Sequence, residues 1–183
     1  MKKQGVLYNI TGLAGVGKTT MGEIFYKYLK ERRNDVVFMD GDILRGIDGD
    51  ALSSEEYKGL EYTKEYRIAQ GIYVYNYFKL LLEQNINIVY CTISLFDELT
   101  NWRYEHFENN VDIYIETPME ILKKNNKKNL YSGEVKDVVG MDIPFDMPKD
   151  ITTYIHNDFT RDPEDIVKEI IEDLRKKGKL IVD

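Results

Sequence analysis

The chain has 183 residues, a length that suits one domain with a single core. Its net charge of −7 argues against a nucleic-acid partner, because such proteins need a cationic face to displace counterions. A single cysteine, Cys91, excludes an internal disulfide and fits a reducing cytoplasm. We therefore expect one cytoplasmic domain over residues 1–183, with neither a membrane nor a nucleic acid as partner.

The first predicted elements are a buried strand at residues 6–10 and a helix at about 20–33, which repeats apolar residues at helical spacing. Residues 12–19 between them fit the pattern G-x-x-x-x-G-K-[ST]. A glycine-rich turn that matches by accident is the alternative. The strand before the pattern and the helix after it favour a phosphate loop instead.

Such a loop holds a nucleotide by turning backbone N–H groups inward around the β-phosphate. Lys18 is expected to reach the β- and γ-phosphate oxygens, and Thr19 to offer its hydroxyl to Mg²⁺. The pattern thus predicts ATP and Mg²⁺ as cofactors. The predicted ATP-binding residues are Gly12, Leu13, Ala14, Gly15, Val16, Gly17, Lys18, Thr19 and Thr20.

The remaining elements continue to alternate along the chain. Strands are predicted at 35–40, 86–93, 111–116 and, weakly, 152–156; helices are predicted at 62–83, 97–107, 118–124 and 163–177. This order predicts an α/β fold of the P-loop NTPase type, with a parallel β-sheet flanked by helices on both faces. The irregular segment 125–151 is interpreted as a lid, because its apolar residues disfavour the alternative of a disordered insertion.

The sequence Asp40-Gly41-Asp42 follows the second predicted strand. A cap or a turn is the purely structural alternative, because Asp-Gly is a common turn pair. Carboxylates at a strand end beside a phosphate loop also suit phosphoryl transfer, with Asp42 as base and Arg45 gripping an anionic acceptor. The basic run that contains Lys128 is either a solvated face or a group that closes over phosphates.

Taken together, these motifs resemble those of the adenylylsulfate (APS) kinase family, from about residue 7 to 174. The resemblance rests on five ordered segments: residues 12–20, 39–45, 93–94, 117–131 and 139–148. It implies transfer of the ATP γ-phosphate to the 3′-hydroxyl of a nucleotide ribose, with Mg²⁺ and as a homodimer.

The resemblance also implies roles for single residues. Lys18, Asp42 and Lys128 would be catalytic. The residues expected to bind the nucleotide acceptor are Asp42, Arg45, Arg67, Gln70, Ile93, Ser94, Lys128 and Val138. Ser94 matches a serine sometimes proposed to be phosphorylated, but direct in-line transfer needs no covalent step.

Several positions depart from the family pattern. Ile72 and Tyr73 stand where the family has a pair of arginines, and Leu95 replaces a proline. Val138 replaces one of two phenylalanines that sandwich the acceptor adenine, and none is found near Leu52. Without such stacking, the pocket is expected to take a smaller base.

We therefore expect a cytidine nucleotide as acceptor, such as the cytidine diphosphoramidate of the capsule phosphoramidate pathway. Two alternatives stay open: an ordinary APS kinase of sulfate assimilation, and a nucleotide-binding module without catalysis. A GTPase is disfavoured, because the motifs that it requires occur in the wrong order and without the base-binding aspartate.

Overall fold

The computed structural model of the protein describes residues 4–48, 63–125, 129–132 and 135–182. The strands in this part of the chain are β1 (Leu7–Thr11), β2 (Val36–Asp40), β3 (Asn87–Thr92), β4 (Asn110–Glu116) and β5 (Thr153–His156). The helices are α1 (Lys18–Lys30), α2 (Gly41–Asp48), α3 (Lys64–Leu82), α4 (Asp97–His106), α5 (Met119–Asn125) and α6 (Pro163–Lys176).

The strands form one parallel sheet in the order β2-β3-β1-β4-β5. Strand β1 lies in the middle, paired with β3 on one side and β4 on the other. All of its residues are buried, as expected of a strand covered on both faces. The chain leaves β1 in one direction for β2 and later returns to its other side for β4. In such sheets, ligands bind at this reversal, beyond the carboxyl ends of the strands.

Helices cover both faces of the sheet, because neighbouring residues of a strand point to opposite faces. Gly22 of α1 lies against the Cys91 side chain of β3, where an added Cβ would approach its sulfur to 2.2 Å. The next residue along β3 towards the N-terminus, Tyr90, instead packs edge-on against Phe78 of α3. Helix α6 packs on α1, and α4 packs on α3. The predicted fold class is confirmed.

The predicted strands and helices are present, with ends that differ by one or two residues in most cases. The exception is α2, which the sequence analysis did not predict. It begins at Gly41, directly after β2, so the Asp-Gly pair opens a helix rather than a turn. Asp42 lies in its first turn, where a carboxylate is favoured by the helix dipole.

Beyond Asn125, which ends α5, the described part of the predicted lid has no regular helix or strand, as expected, apart from an isolated bridge between Val139 and Ile143. Among the described residues, no helix is both long enough and apolar enough to cross a membrane.

Candidate active site

The loop between β1 and α1 has the backbone that a phosphate loop requires. Gly12, Gly15 and Gly17 all have positive φ angles, of 149°, 81° and 99°. Gly12 is also restricted by space, since a Cβ atom there would lie 2.3 Å from the carbonyl oxygen of Ile115. The loop is braced from just after β5, where the Asn157 side chain donates to the Val16 carbonyl at 2.9 Å. The glycines thus allow the backbone shape of this loop.

Lys18 folds back over this loop. Its ammonium donates to the carbonyl oxygens of Gly12, at 2.9 Å, and Leu13, at 2.8 Å. These bonds hold the cation over the space that the loop encloses. A phosphate oxygen entering that space would replace neutral carbonyls with a charged partner, which makes stronger hydrogen bonds.

Thr19 is joined to the end of β2. Its hydroxyl donates to the carboxylate of Asp40 at 2.7 Å, and the other Asp40 oxygen accepts from the backbone N–H of Asp42 at 2.8 Å. Asp40 is buried, so its side chain is fixed between the loop and α2. The sequence analysis assigned no role to Asp40, although it stands in the same motif as Asp42.

A hydroxyl and a carboxylate are the hard oxygen ligands that Mg²⁺ prefers. The described residues contain no cluster of three or more His, Cys, Asp or Glu that could enclose a metal ion. Mg²⁺ is commonly held by one or two carboxylates together with substrate phosphates and water. The pair Thr19 and Asp40 therefore fits a nucleotide-bound Mg²⁺.

Asp42 and Arg45 form an ion pair within α2, three residues apart. The Asp42 side chain is about half exposed, and the Arg45 side chain is 28% exposed. An exposed pair of this kind is weak and can exchange partners easily. Asp42 is thus accessible as a base, and Arg45 can move to an incoming anion.

A cleft opens beside this pair, between α2, α3 and the end of β3. We call it the α3 cleft. Its lining residues are Gly41, Leu44, Arg45, Arg67, Gln70, Gly71, Val74, Tyr75, Tyr90, Thr92, Ile93, Ser94 and Leu99. Five predicted acceptor-binding residues lie in this lining, namely Arg45, Arg67, Gln70, Ile93 and Ser94. Val138 is buried outside the lining, and Lys128 lies outside the described residues.

Ser94 is held by a buried polar network. Its side chain is 2% exposed and lies 3.2 Å from the amide nitrogen of Asn9, which donates to it. Asn9 also donates to Asp112 at 2.7 Å, and Asp112 pairs with the buried guanidinium of Arg103 at 2.8 Å. A serine tied into such a network is better suited to fixing the end of β3 than to accepting a phosphate.

The described part of the lid contacts both the phosphate loop and the α3 cleft. The Tyr131 hydroxyl donates to the Ala14 carbonyl at 2.7 Å, and burial raises the pKa of this hydroxyl to about 12. Arg67 donates to the carbonyl of Asp137 at 3.2 Å. Asp146 accepts from the first N–H of α4 at 3.0 Å. Only the three-dimensional structure could reveal these contacts, since Tyr131 and Ala14 are 117 residues apart.

The fold and this site define a P-loop kinase, with a phosphate loop, a candidate base and a cationic cleft at one edge of a parallel sheet. A family profile described as adenylylsulphate kinase matches residues 4–156. The chain therefore belongs to the adenylylsulphate kinase family, and it is an APS-kinase-like nucleotide kinase. The family prediction made from the motifs is confirmed.

Relatives with assigned names support this placement. The chain is 33% identical, over 95% of its own length and 99% of the relative's, to a cytidine diphosphoramidate kinase of Campylobacter jejuni. It is 30% identical to an adenylyl-sulfate kinase of Clostridium acetobutylicum, over 96% and 86% of the two chains.

Among solved structures, the fold is similar to that of an APS kinase of Mycobacterium tuberculosis in complex with AMPPNP and APS. The TM-score is 0.77, with 20% identity over 94% of this chain and 98% of the other. At that identity, the likeness supports the fold alone.

Proposed function

We propose that this protein is an ATP-dependent kinase that transfers the γ-phosphate to the ribose 3′-hydroxyl of a cytidine nucleotide such as cytidine diphosphoramidate. The observation that carries the proposal is the α3 cleft, where Arg45 and Arg67 line a pocket and Arg45 pairs with Asp42. The chain's likeness to a cytidine diphosphoramidate kinase over nearly its full length supports the choice of acceptor. A role in capsule biosynthesis would follow from that acceptor.

On the donor side, the loop N–H groups and Lys18 would hold the ATP phosphates. Thr19 and Asp40 would hold Mg²⁺, which would neutralise charge on the β- and γ-phosphates when it is bound. Lys18 would exchange its two carbonyl partners for phosphate oxygens. Its positive charge would then stabilise the negative charge that develops on the γ-phosphoryl group during transfer.

On the acceptor side, Arg45 would leave Asp42 for the acceptor's anionic phosphates, and Arg67 would bind them from α3. Asp42, released from Arg45, would accept the proton of the 3′-hydroxyl. The 3′-oxygen would then form a bond to the γ-phosphorus while the bond from phosphorus to the bridging oxygen breaks, with ADP as the leaving group. Lys128 is proposed to add a cation over the phosphates.

Ordinary APS kinase activity is the second candidate. It is supported by the family profile and by the adenylyl-sulfate kinases among the relatives. The departures at Ile72, Tyr73 and Val138 disfavour it, because they remove cations and stacking from the acceptor site that this family resemblance implies.

We also propose that the enzyme is a homodimer. Tyr77 and Leu80, near the end of α3, leave more than half of their side-chain surface exposed, and large apolar groups of this kind suit contact with a second copy. Sedimentation equilibrium tests this proposal. A mass of about 21.5 kDa, that of one chain, at micromolar concentration would contradict it.

The proposed reaction is tested with ATP and cytidine diphosphoramidate, with the product examined by phosphorus NMR and mass spectrometry. We expect one added phosphate on the 3′-oxygen, no reaction with the 3′-deoxy acceptor, and loss of turnover when Mg²⁺ is removed by EDTA. Equal phosphorylation of the 3′-deoxy acceptor would contradict the assigned position. Full turnover in EDTA would contradict the role of Mg²⁺.

A further inference from the structure

A buried polar network crosses the sheet on the face that α3 and α4 cover. Its members are Asn9 of β1, Ser94 after the end of β3, Arg103 of α4 and Asp112 of β4, and each is at most 2% exposed. We call these four residues the core network. Replacing a buried ion pair with well-packed apolar residues often costs no stability, so stability alone does not account for two charges in this position.

Asp112 accepts three hydrogen bonds. Arg103 donates to its Oδ1 atom at 2.8 Å, and the Tyr104 hydroxyl donates to its Oδ2 atom at 2.8 Å. The third donor is the side-chain amide of Asn9, which lies 2.7 Å from Oδ1. An ionised carboxylate accepts hydrogen bonds and donates none. Paired with a guanidinium, Asp112 therefore presents only acceptors to its neighbours.

This carboxylate fixes the orientation of the Asn9 amide. Asn9 and Asp112 are directly paired between β1 and β4, so their side chains leave the sheet on the same face. A carboxamide has an NH₂ donor on one side and a carbonyl acceptor on the other. Because Asp112 only accepts, Asn9 turns its NH₂ group towards it. The same NH₂ group donates to the Ser94 hydroxyl oxygen at 3.2 Å, so the charge on β4 acts as far as the end of β3.

The core network meets the α3 cleft at Ser94, which is part of the cleft lining. The backbone N–H of Ser94 donates to the Thr11 hydroxyl at 3.3 Å. Burial raises the pKa of the Tyr75 hydroxyl, which is also hydrogen-bonded to Ser94. These contacts hold Ser94 from β1 and from α3. A change in the orientation of Asn9 would therefore disturb a residue of the cleft wall.

Tyr104 connects the core network to the surface. Its side chain is 40% exposed, and its hydroxyl also donates to the carbonyl of Asp150 at 3.3 Å. Burial and the Asp112 charge both raise the pKa of this hydroxyl, so it remains a donor at physiological pH. Because Tyr104 is partly exposed, its bond to Asp112 can be removed without opening a cavity in the core.

We propose that Arg103 and Asp112 are a positioning pair, which fixes Ser94 through Asn9 and thereby shapes the α3 cleft for the acceptor. This inference rests on the proposed function, since it takes the α3 cleft as the acceptor site. The pair does not serve ATP binding. Three side chains that hold the phosphate loop, those of Asp40, Asn157 and Tyr131, lie outside the core network.

The test is calorimetric binding of cytidine diphosphoramidate, APS and AMPPNP to folded variants. Asn9→Leu removes the link between the pair and Ser94 at similar volume, and Tyr104→Phe removes one bond to Asp112. Thr153→Val is the matched control. The Thr153 hydroxyl also donates to a carboxylate at 2.8 Å, that of Asp173, but it does so between β5 and α6.

The pair itself is removed in the double variant Arg103→Met/Asp112→Leu. Both charges are replaced together, because removing one partner would leave the other charge buried and unpaired. Melting temperatures show which variants fold. Tyr104→Phe carries the test if the double variant or Asn9→Leu does not fold.

We expect the Kd for cytidine diphosphoramidate to rise about 5- to 50-fold in Asn9→Leu and in the double variant, and about 2- to 5-fold in Tyr104→Phe. The Kd for AMPPNP should stay within about twofold of the wild-type value, because the phosphate loop keeps its own contacts. Thr153→Val should bind both ligands as the wild type does. If the wild type binds only APS, the same changes are expected in the Kd for APS.

A lower melting temperature with wild-type acceptor affinity in the folded variants would overturn the inference, since it would show a purely structural role. Equal weakening of acceptor and AMPPNP binding would overturn it as well. A wild-type enzyme that binds the cytidine nucleotide without phosphorylating it would contradict the proposed function alone. A wild-type enzyme that binds neither acceptor would contradict both.

Discussion

The donor side and the acceptor side of this site are built in different ways. The donor side consists of consecutive residues, Gly12 to Thr20, joined to the rest of the fold by Asp40 and Asn157. The proposed acceptor side is assembled around the α3 cleft from α2, α3 and the end of β3. The donor side therefore depends on one stretch of backbone, and the acceptor side on packing between distant segments.

This difference has a consequence for how specificity can change. The loop would bind phosphates through backbone N–H groups and one lysine, so few substitutions there would be compatible with ATP. The α3 cleft presents side chains, which can be exchanged while the fold persists. A family with one donor and several acceptors is the expected outcome. The next predictions test this separation in order of decreasing effect.

The largest effect is expected from Lys18→Ala. It removes the cation that would stabilise the negative charge on the transferred phosphoryl group. Phosphate transfer should therefore fall to background with every acceptor. Steady-state phosphate transfer measures this loss. Lys30→Ala is the control, because Lys30 is also on α1 but lies at its far end, where its ammonium donates to the backbone carbonyls of Asn34 and Val36. Retained turnover in Lys18→Ala would show that the lysine of the phosphate loop is not needed for catalysis.

Removing the proposed base, in Asp42→Ala, should lower kcat by about 10²–10⁴-fold. The KM for ATP should change little, because no proposed donor contact involves the Asp42 side chain. Asp35→Ala is a matched control: Asp35 also carries an ion pair, with Arg33, but precedes β2 at the opposite end of the strand. Wild-type kcat in Asp42→Ala would exclude Asp42 as the base.

The donor side could be predicted from the sequence because its function depends on local order. The glycine spacing and the following lysine fix the loop wherever a strand precedes and a helix follows. Asp42 was also predicted, since the end of β2 lies at the same sheet edge. Asp40 was not assigned, because its role depends on the bond to Thr19 across 21 residues.

Apart from Asp42 and Arg45, the residues of the proposed acceptor side were expected only through the family resemblance. No role in the site was predicted for Tyr75, which is fully buried. Its position beside the cleft follows from the packing of α3 on β3 and α4. Helix α2 was missed because Asp-Gly also favours turns. The role of Lys128 and the single-domain organisation stay predictions.

A smaller and acceptor-specific effect is expected from Arg67→Met. The loss of a charged hydrogen-bond donor in the cleft should raise the KM for the acceptor by about 10- to 100-fold. The KM for ATP should stay within about twofold, measured by varying each substrate in turn. The exposed Arg32 on the other side of the sheet provides the control, as Arg32→Met. Equal rises in both KM values would contradict the separation of the two sides.

The smallest effect is expected from Tyr131→Phe, which cuts the bond between the lid and the phosphate loop. One net hydrogen bond corresponds to about a 2- to 10-fold change. Because the lid contacts both sides, we expect the KM values for ATP and for the acceptor to rise together. A change confined to one substrate would show that the lid does not couple them.

The central claim is that this protein uses the phosphate donor of its family, ATP, but phosphorylates a cytidine nucleotide instead of APS. The most direct measurement compares kcat/KM for cytidine diphosphoramidate and for APS, each with ATP and Mg²⁺ and the same enzyme preparation. We predict efficient, saturable turnover of the cytidine nucleotide and little turnover of APS. Saturable turnover of APS with none of the cytidine nucleotide would contradict the claim and identify an ordinary APS kinase.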